Sequence, residues 1–182
     1  MANSSIRSYL QEEFVLPIRD PLWRHIYLSK GLKSIVACAP FQKLNGIKQL
    51  GPAYLAYPGA THTRFSHSLG VFEIAKRTVA SLLQHRAEEI VTLEGLKAFL
   101  SAALLHDLGH FPFAHSLKDL ALQEHEQLTG ELILSTELKD IISCEVGTSP
   151  ELTAAVVDLH MDSEDREELT FYRHLLSGVL DP

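Results

Sequence analysis

The histidines of this chain are concentrated in one segment. Of the ten, four fall within 20 residues: His106, His110, His115 and His125. Neutral imidazole is the commonest nitrogen ligand of transition metals, and it is also the side chain best suited to exchange protons near neutral pH. Packing alone explains such crowding poorly, so the segment is predicted to carry a metal site or an acid–base centre.

The adjacent pair His106-Asp107 follows an apolar stretch over 99–105 and precedes Leu108-Gly109. Neighbours in a helix interior point about 100° apart. At a helix C-terminus, however, both can reach one cation, and the helix dipole favours positive charge there. A mixed His/Asp ligand set suits divalent Fe, Mn, Zn, Co or Ni, and Mg is retained as a further candidate. Spacing alone leaves open the alternative that the pair only caps the helix.

His67 lies on a different predicted helix, one turn after Arg64, so the two side chains can share a helix face. Metal sites in helical bundles need ligands from more than one helix, and His67 is predicted to supply one. Arg64 offers a planar fork of donors that matches phosphate oxygens. Its alternative role is an ordinary surface ion pair.

Two stretches with apolar residues at helical spacing are expected to position these groups, over 63–86 and 93–108, the second stopped by Gly109. β-Branched and aromatic residues over 13–29 predict a small hairpin around Asp20-Pro21. The fold class is therefore mainly α, a helical bundle with a minor N-terminal β hairpin. Further helices are predicted over 31–39, 41–49, 123–135, 136–143, 150–160 and 165–177. The acidic run Asp162 to Glu168 is interpreted as a solvent-facing loop leading into a helix.

Composition limits the classes of function. The 182 residues are expected to form a single domain over 1–182, with 1–30 as an extended or β lead-in. The net charge of -7 and the lack of a basic stretch disfavour extended nucleic-acid binding. No apolar run suggests a membrane span. Cys38 and Cys144 lie far apart and are predicted to be reduced, which favours a cytoplasmic location.

Seven short motifs follow one another along the chain: Ile18–Pro21, Phe41–Leu44, Ile47–Gly51, Tyr57–Gly70, Leu105–His115, Glu124–Glu126 and Leu176–Asp181. Together they resemble the HD superfamily of metal-dependent phosphohydrolases. Within it, the chain is similar to the deoxynucleoside triphosphate triphosphohydrolase-like branch that includes the sterile-alpha-motif/HD enzymes. The resemblance covers nearly the whole chain, and it implies an HD-domain helical bundle.

The resemblance also implies roles for particular residues. Three match metal ligands of the family: His67, His106 and Asp107. Three match histidines that line the phosphate site and assist proton transfer: His110, His115 and His125. Three match substrate-binding residues, namely Arg64 at phosphate and Gln49 and Leu50 beside the sugar. A fourth ligand, an aspartate, is expected two residues beyond Asp181, which predicts that the chain is the N-terminal portion of a longer protein.

The resemblance and the residues favour an enzyme that hydrolyses a nucleotide phosphoester with a divalent metal. The narrower candidate reaction releases triphosphate from a deoxynucleoside triphosphate. In either case water attacks phosphorus, the metal and Arg64 offset the negative charge, and a histidine protonates the leaving oxygen. The alternative is a non-catalytic HD module that binds nucleotide or a protein partner. It is motivated by Lys118, which stands where close relatives have an aspartate paired with the catalytic histidine. Assembly into a homo-oligomer is left open.

Overall fold

A computed structural model describes residues 2–85, 90–112, 124–161 and 166–180, and most of these residues are helical. The expected hairpin is present, with β1 over Leu16–Asp20 and β2 over Arg24–Leu28 in antiparallel register. At its turn, Asp20 Oδ1 accepts hydrogen bonds from two backbone amides, which suits the left-handed φ of 63° at Arg24. The mainly α class with a minor hairpin is therefore confirmed.

A helix precedes the hairpin. The extended lead-in expected over 1–30 is wrong for its first part, because Ala2–Glu12 forms α1. Ile6 and Tyr9 lie one turn apart and are both buried. They anchor one face of α1 on the body of the protein, and this tertiary contact outweighs the weak helical signal of a short polar segment.

Short helical segments connect the hairpin to the central helices. Ser29 caps α2 (Lys30–Ala37), whose apolar face is buried, and α3 (Ala39–Gln42) begins with proline in its first turn. Two 3-10 turns follow, over Lys43–Gly46 and Gly51–Leu55. The helix expected over 41–49 is thus shorter than predicted and ends at the glycine turn.

The two helices predicted to hold the chemistry are the centre of the fold. They are α4 (Arg64–Leu82) and α5 (Leu93–Leu105), each capped by a threonine, Thr63 and Thr92. From Ala98 to Leu105 every side chain of α5 is fully buried, which explains why this stretch is apolar apart from Ser101. α4 packs against α5, and helices from the second half of the chain contact α5 as well.

The second half of the chain closes the core. It comprises α6 (His125–Ile133), α7 (Thr136–Asp140), α8 (Pro150–Val157) and α9 (Arg166–Leu175), with π-helical extensions over Ile141–Val146 and Leu176–Leu180. α8 packs against α5, α6 and α9. No helix of the described residues is long and apolar enough to cross a membrane.

One acidic residue joins distant helices. Glu168 of α9 is buried, and its carboxylate accepts hydrogen bonds from the backbone amide and the hydroxyl of Thr92 at the start of α5. The solvent-facing interpretation of the acidic run is therefore wrong for Glu168, although Glu167 is exposed. Residues 162–165 of that run lie outside the described part. The buried charge is stabilised because it meets the positive end of the α5 dipole.

Candidate metal centre and active site

The His106-Asp107 pair lies at the C-terminal end of α5, where the helix gives way to a tight turn. His106 is the C-cap, and Nδ1 of its ring lies 3.0 Å from the Ala103 carbonyl oxygen. A carbonyl only accepts, so Nδ1 carries the proton and Nε2 is left with its lone pair. The turn continues through a hydrogen bond from the His110 amide to the Asp107 carbonyl oxygen. The last turn of α5 therefore presents an imidazole and a carboxylate to one place.

The first turn of α4 meets this helix end. Thr63 Oγ1 caps the helix by accepting from the Ser66 amide, and the Arg64 amide donates to the Ile47 carbonyl oxygen at 2.8 Å. These bonds fix where α4 begins, and they bring Arg64 and His67 to the His106-Asp107 pair. Sequence spacing could not show that the two helix ends meet, because the contact spans about 40 residues of chain.

The three predicted metal ligands form one cluster. Nε2 of His67 lies 3.4 Å from Nε2 of His106 and 3.9 Å from Oδ2 of Asp107. One donor atom from each of the three residues lies within 4.8 Å of the other two. Two imidazole nitrogens facing each other beside a carboxylate are well matched to a divalent cation held between them. The donor set thus fits the metal that the sequence predicted.

Arg64 and Asp107 form a buried ion pair. Arg64 Nη1 donates to Asp107 Oδ2 at 2.7 Å, and both side chains are almost completely buried. Burial raises the pKa of the Asp107 carboxyl, but the hydrogen bond from His110 and the electrostatic effects of His106 and Arg64 outweigh it. The pKa is held well below its ordinary value, and Asp107 stays ionised.

The guanidinium of Arg64 is only partly used by this ion pair. Its Nε is buried and has no hydrogen-bond partner among the described residues. A buried donor without a partner is costly. The ion pair is buried and is therefore not the surface ion pair considered for Arg64, and Nε remains a donor that no described residue satisfies.

His110 and His125 form a second pair beside the metal cluster. Their rings are stacked, with centroids 3.8 Å apart and planes inclined by 24°. His110 Nε2 lies 3.2 Å from Asp107 Oδ1. Burial and the neighbouring His110 lower the pKa of His125, while Glu126 opposes this shift. The stacked histidines therefore lie next to the cluster of His67, His106 and Asp107.

The sequence did not identify the residues that hold this second pair in place. Thr129 Oγ1 accepts from the Gly109 amide at 2.9 Å and donates to the His106 carbonyl oxygen at 3.2 Å. A Cβ at position 109 would collide with the His125 carbonyl oxygen, so only glycine lets the two segments approach so closely. In the sequence, the only feature that pointed to a role of Thr129 was its position one turn after His125.

The other predicted site residues are Gln49, Leu50 and His115, of which the structure describes the first two. The backbone amide of Gln49 donates a hydrogen bond to the His62 carbonyl oxygen, which places Gln49 beside the start of α4. Leu50, the next residue, is mostly exposed. Gln49 Oε1 is buried without a hydrogen-bond partner in the part of the chain that the structure describes. His115, like Lys118 and Asp181, lies outside the described residues.

A small cavity adjoins the cluster. It has a volume of about 120 Å³ and lies between the start of α6 and the helices α8 and α9. His106, His125 and Glu126 line one wall, and Val156, Val157 and Leu176 line another. The cavity is therefore lined both by polar side chains of the site and by apolar side chains of the later helices.

Residues 64–178 match the family model of the HD domain, and this is more than half of the chain. The chain belongs to the HD domain family. The matched region of this HD domain begins at Arg64 and contains the whole cluster of His67, His106 and Asp107. The bundle architecture expected from the motifs is thereby confirmed.

Several proteins are similar to this chain over most of its length. The uncharacterised protein YwfO of Bacillus subtilis is 42% identical over 135 residues, which are 73% of this chain and 30% of that protein. The deoxynucleoside triphosphate triphosphohydrolase SAMHD1 of Mus musculus is 36% identical over 171 residues, 87% of this chain and 24% of that protein. A phosphohydrolase of Bacteroides thetaiotaomicron has a solved structure with a TM-score of 0.70 at 32% identity, covering 89% of this chain and 38% of that one. The chain spans less than half the length of each.

Proposed function

We propose that this HD domain belongs to a metal-dependent phosphohydrolase that hydrolyses a nucleotide phosphoester. The observation that carries the proposal is the cluster of His67, His106 and Asp107 beside the buried Arg64. Ligands for a cation, a donor for an anion and a stacked histidine pair lie together in one place. A structural metal would need the three ligands, but it would not need the arginine or the second pair.

Each residue of the site is assigned a role in the proposed hydrolysis. His67, His106 and Asp107 would hold a divalent ion, which when bound supplies Lewis acidity and a more acidic water. The free donor of Arg64 binds a phosphate oxygen and offsets the charge that develops during attack on phosphorus. One of the three histidines His110, His115 and His125 gives a proton to the leaving oxygen. Gln49 and Leu50, next to the start of α4, are assigned to the sugar.

The substrate class is proposed more narrowly as a deoxynucleoside triphosphate, from which triphosphate is released. The support is the similarity to SAMHD1 of Mus musculus, which is named a deoxynucleoside triphosphate triphosphohydrolase and is 36% identical over 171 residues. We place the protein in the cytoplasm, in keeping with free thiols at Cys38 and Cys144. Assembly into a homo-oligomer stays a prediction to be checked by light scattering.

The test uses the full-length protein purified without chelator. Bound metal is measured by elemental analysis, and release of triphosphate, pyrophosphate and phosphate is followed over a panel of nucleoside triphosphates and deoxynucleoside triphosphates. His106→Ala and Asp107→Asn are expected to lose both the metal and the turnover. His125→Ala is expected to keep the metal and to lose turnover by about 10²–10⁴-fold.

His25→Ala is the matched control, because this histidine is exposed on the hairpin. It is expected to retain both the metal and the activity. Tight nucleotide binding without any product, unchanged in His110→Ala and His125→Ala, would reject the enzyme in favour of a non-catalytic nucleotide-binding module. The absence of both metal and nucleotide binding would reject both functions.

A further inference from the structure

Thr129 of α6 binds the turn over 106–109, which contains the two metal ligands at the end of α5. Its Oγ1 accepts a hydrogen bond from the Gly109 amide at 2.9 Å and donates one to the His106 carbonyl oxygen at 3.2 Å. The side chain is fully buried. One hydroxyl therefore holds the backbone on both sides of Asp107.

The two backbone groups that Thr129 binds lie at a helix end. His106 is the C-cap of α5, and the last carbonyl groups of a helix have no amide of a following turn to bind. Within the turn, the His110 amide donates to the Asp107 carbonyl oxygen. The turn is buried, so loss of the hydroxyl would leave the His106 carbonyl and the Gly109 amide without the partner that they have here.

A threonine in the middle of a helix commonly binds its own helix instead, at the carbonyl oxygen four residues earlier. Thr153 of α8 does so, because its Oγ1 donates to the Ser149 carbonyl oxygen at 2.9 Å, and it is as deeply buried as Thr129. The two partners of Thr129 lie 20 and 23 residues away along the chain. Its hydroxyl therefore makes a tertiary contact that a merely helical threonine does not make.

Other contacts hold the ligand side chains but not the backbone between them. Nδ1 of His106 lies 3.0 Å from the Ala103 carbonyl oxygen, and Arg64 donates to the Asp107 carboxylate. The directions in which two neighbouring side chains leave the chain depend on the backbone dihedrals at both residues. The contact with Thr129 restricts those dihedrals, because it fixes the carbonyl before Asp107 and the amide after Leu108.

We propose that Thr129 is the positioning residue of the His106-Asp107 pair, whose hydroxyl holds the turn over 106–109 in the conformation that presents both ligands to one cation. The inference rests on the proposed function, because that function assigns a divalent ion to these residues. A hydroxyl with only a structural role would stabilise the fold without changing the affinity for the ion.

The test compares Thr129→Val, Thr129→Ser and Thr153→Val in the full-length protein, with Zn²⁺ alone as the probe. Valine keeps the branched shape and removes the hydroxyl, whereas serine keeps the hydroxyl. Thr153→Val is the matched control, because it removes an equally buried hydroxyl that binds its own helix. Both valine variants lose a buried hydrogen bond, so the comparison separates an effect on the metal site from an effect on stability.

The Kd of Zn²⁺ is measured by competition with a chromophoric chelator. Thr129→Val is expected to weaken zinc binding by about 10–100-fold, the usual effect of removing a group that orients metal ligands. Thr129→Ser and Thr153→Val are expected to bind zinc nearly as tightly as wild type. A Kd unchanged in Thr129→Val, or an equal loss in Thr153→Val, would overturn the inference.

A second readout depends neither on zinc nor on turnover. Hydrogen exchange of the Gly109 amide, followed by NMR with labelled glycine in the metal-free protein, is expected to be slow in wild type and Thr153→Val and fast in Thr129→Val. Fast exchange in wild type would also overturn the inference, and this result requires no variant to fold. If wild type binds no zinc and hydrolyses no nucleotide, the proposed function fails, and the exchange comparison still decides whether Thr129 holds the turn.

Discussion

At the scale of single residues, Asp107 is the electrostatic centre of the site. Its carboxylate is buried and faces Arg64 at 2.7 Å, His110 at 3.2 Å and His106 at 3.7 Å. A buried carboxylate is costly unless donors and positive charges surround it. Here they do so on both oxygens, and the same arrangement keeps the carboxylate ionised and able to bind a cation.

The Arg64–Asp107 pair predicts a stability effect. Arg64→Ala removes the guanidinium that pairs with Asp107 at 2.7 Å and leaves that carboxylate buried without its closest charged partner. The free energy of unfolding is expected to fall by about 3–5 kcal/mol. It is measured by urea denaturation in the presence of EDTA, so that a metal cannot replace the lost charge.

Lys139→Ala is the control for this measurement, because it breaks an ion pair with Glu151 that is about half exposed on both sides. It is expected to cost about 1 kcal/mol or less, since water screens exposed pairs. An equal loss in both variants would contradict the view that burial makes the Arg64–Asp107 pair important.

At the scale of elements, the site exists because three helix ends meet. The C-terminus of α5 carries His106, the N-terminus of α4 carries Arg64 and His67, and the N-terminus of α6 carries His125. Thr129 connects the first and third of these by binding the backbone of both His106 and Gly109. Helix ends suit this purpose, because their unpaired backbone groups need partners from outside the helix.

Gly109→Ala tests the contact between α5 and α6. The new methyl group would collide with the His125 carbonyl oxygen and with Thr129, so α6 must move away. Overpacking of this kind costs about 1–3 kcal/mol, and the displaced His125 is expected to lower turnover. Urea denaturation and kinetics measure the two effects.

Gly46→Ala is the matched substitution, because a Cβ at position 46 meets no atom within 4 Å. It is expected to leave both stability and turnover close to wild type. If Gly109→Ala changed neither the free energy of unfolding nor the turnover, the contact between the loop at Gly109 and α6 would not be needed for the fold or the site.

Glu168→Ala tests how α9 is joined to the start of α5. Loss of the carboxylate leaves the Thr92 amide without its acceptor at 2.7 Å. The expected cost is about 1–2 kcal/mol, the usual effect of removing a helix cap. Glu167→Ala, which removes the same charge from the neighbouring exposed position, is expected to change the free energy of unfolding by less than about 0.5 kcal/mol. Equal effects would mean that only the net charge of α9 matters.

At the scale of the whole molecule, a bound metal would connect halves of the core that are separate in sequence. His67 belongs to α4, whereas His106 and Asp107 follow α5. A ligand that binds only the folded chain stabilises it by about 2.7 kcal/mol at a hundred times its Kd. For a domain of this size the melting temperature should rise by about 5–10 °C.

The measurement is thermal unfolding with Mn²⁺ or Zn²⁺ and, separately, with EDTA. Wild type is expected to show the shift and His67→Ala to lose it, while His25→Ala keeps it. A shift that persists in His67→Ala would place the metal elsewhere in the protein.

The fold was predictable where one physical signal dominated. The apolar spacing over 63–86 and 93–108 predicted α4 and α5 because both helices must bury a wide apolar surface. The hairpin followed from β-branched residues on either side of Asp20-Pro21. α1 was missed, because its helical state depends on the burial of Ile6 and Tyr9 against residues distant in sequence.

The sequence by itself determined the chemistry available to this protein. It supplied the crowded histidines, the His106-Asp107 pair at a helix end, the arginine one turn before His67, and the motifs of the HD family. These signals are local, since residue type and spacing along one helix are enough to recognise them.

The tertiary structure decided how the groups are used. Only the meeting of α4, α5 and α6 shows that Arg64 is buried on Asp107 and that His110 stacks on His125. Such contacts depend on distances between separate helices, and the sequence of one chain does not encode them in any local pattern.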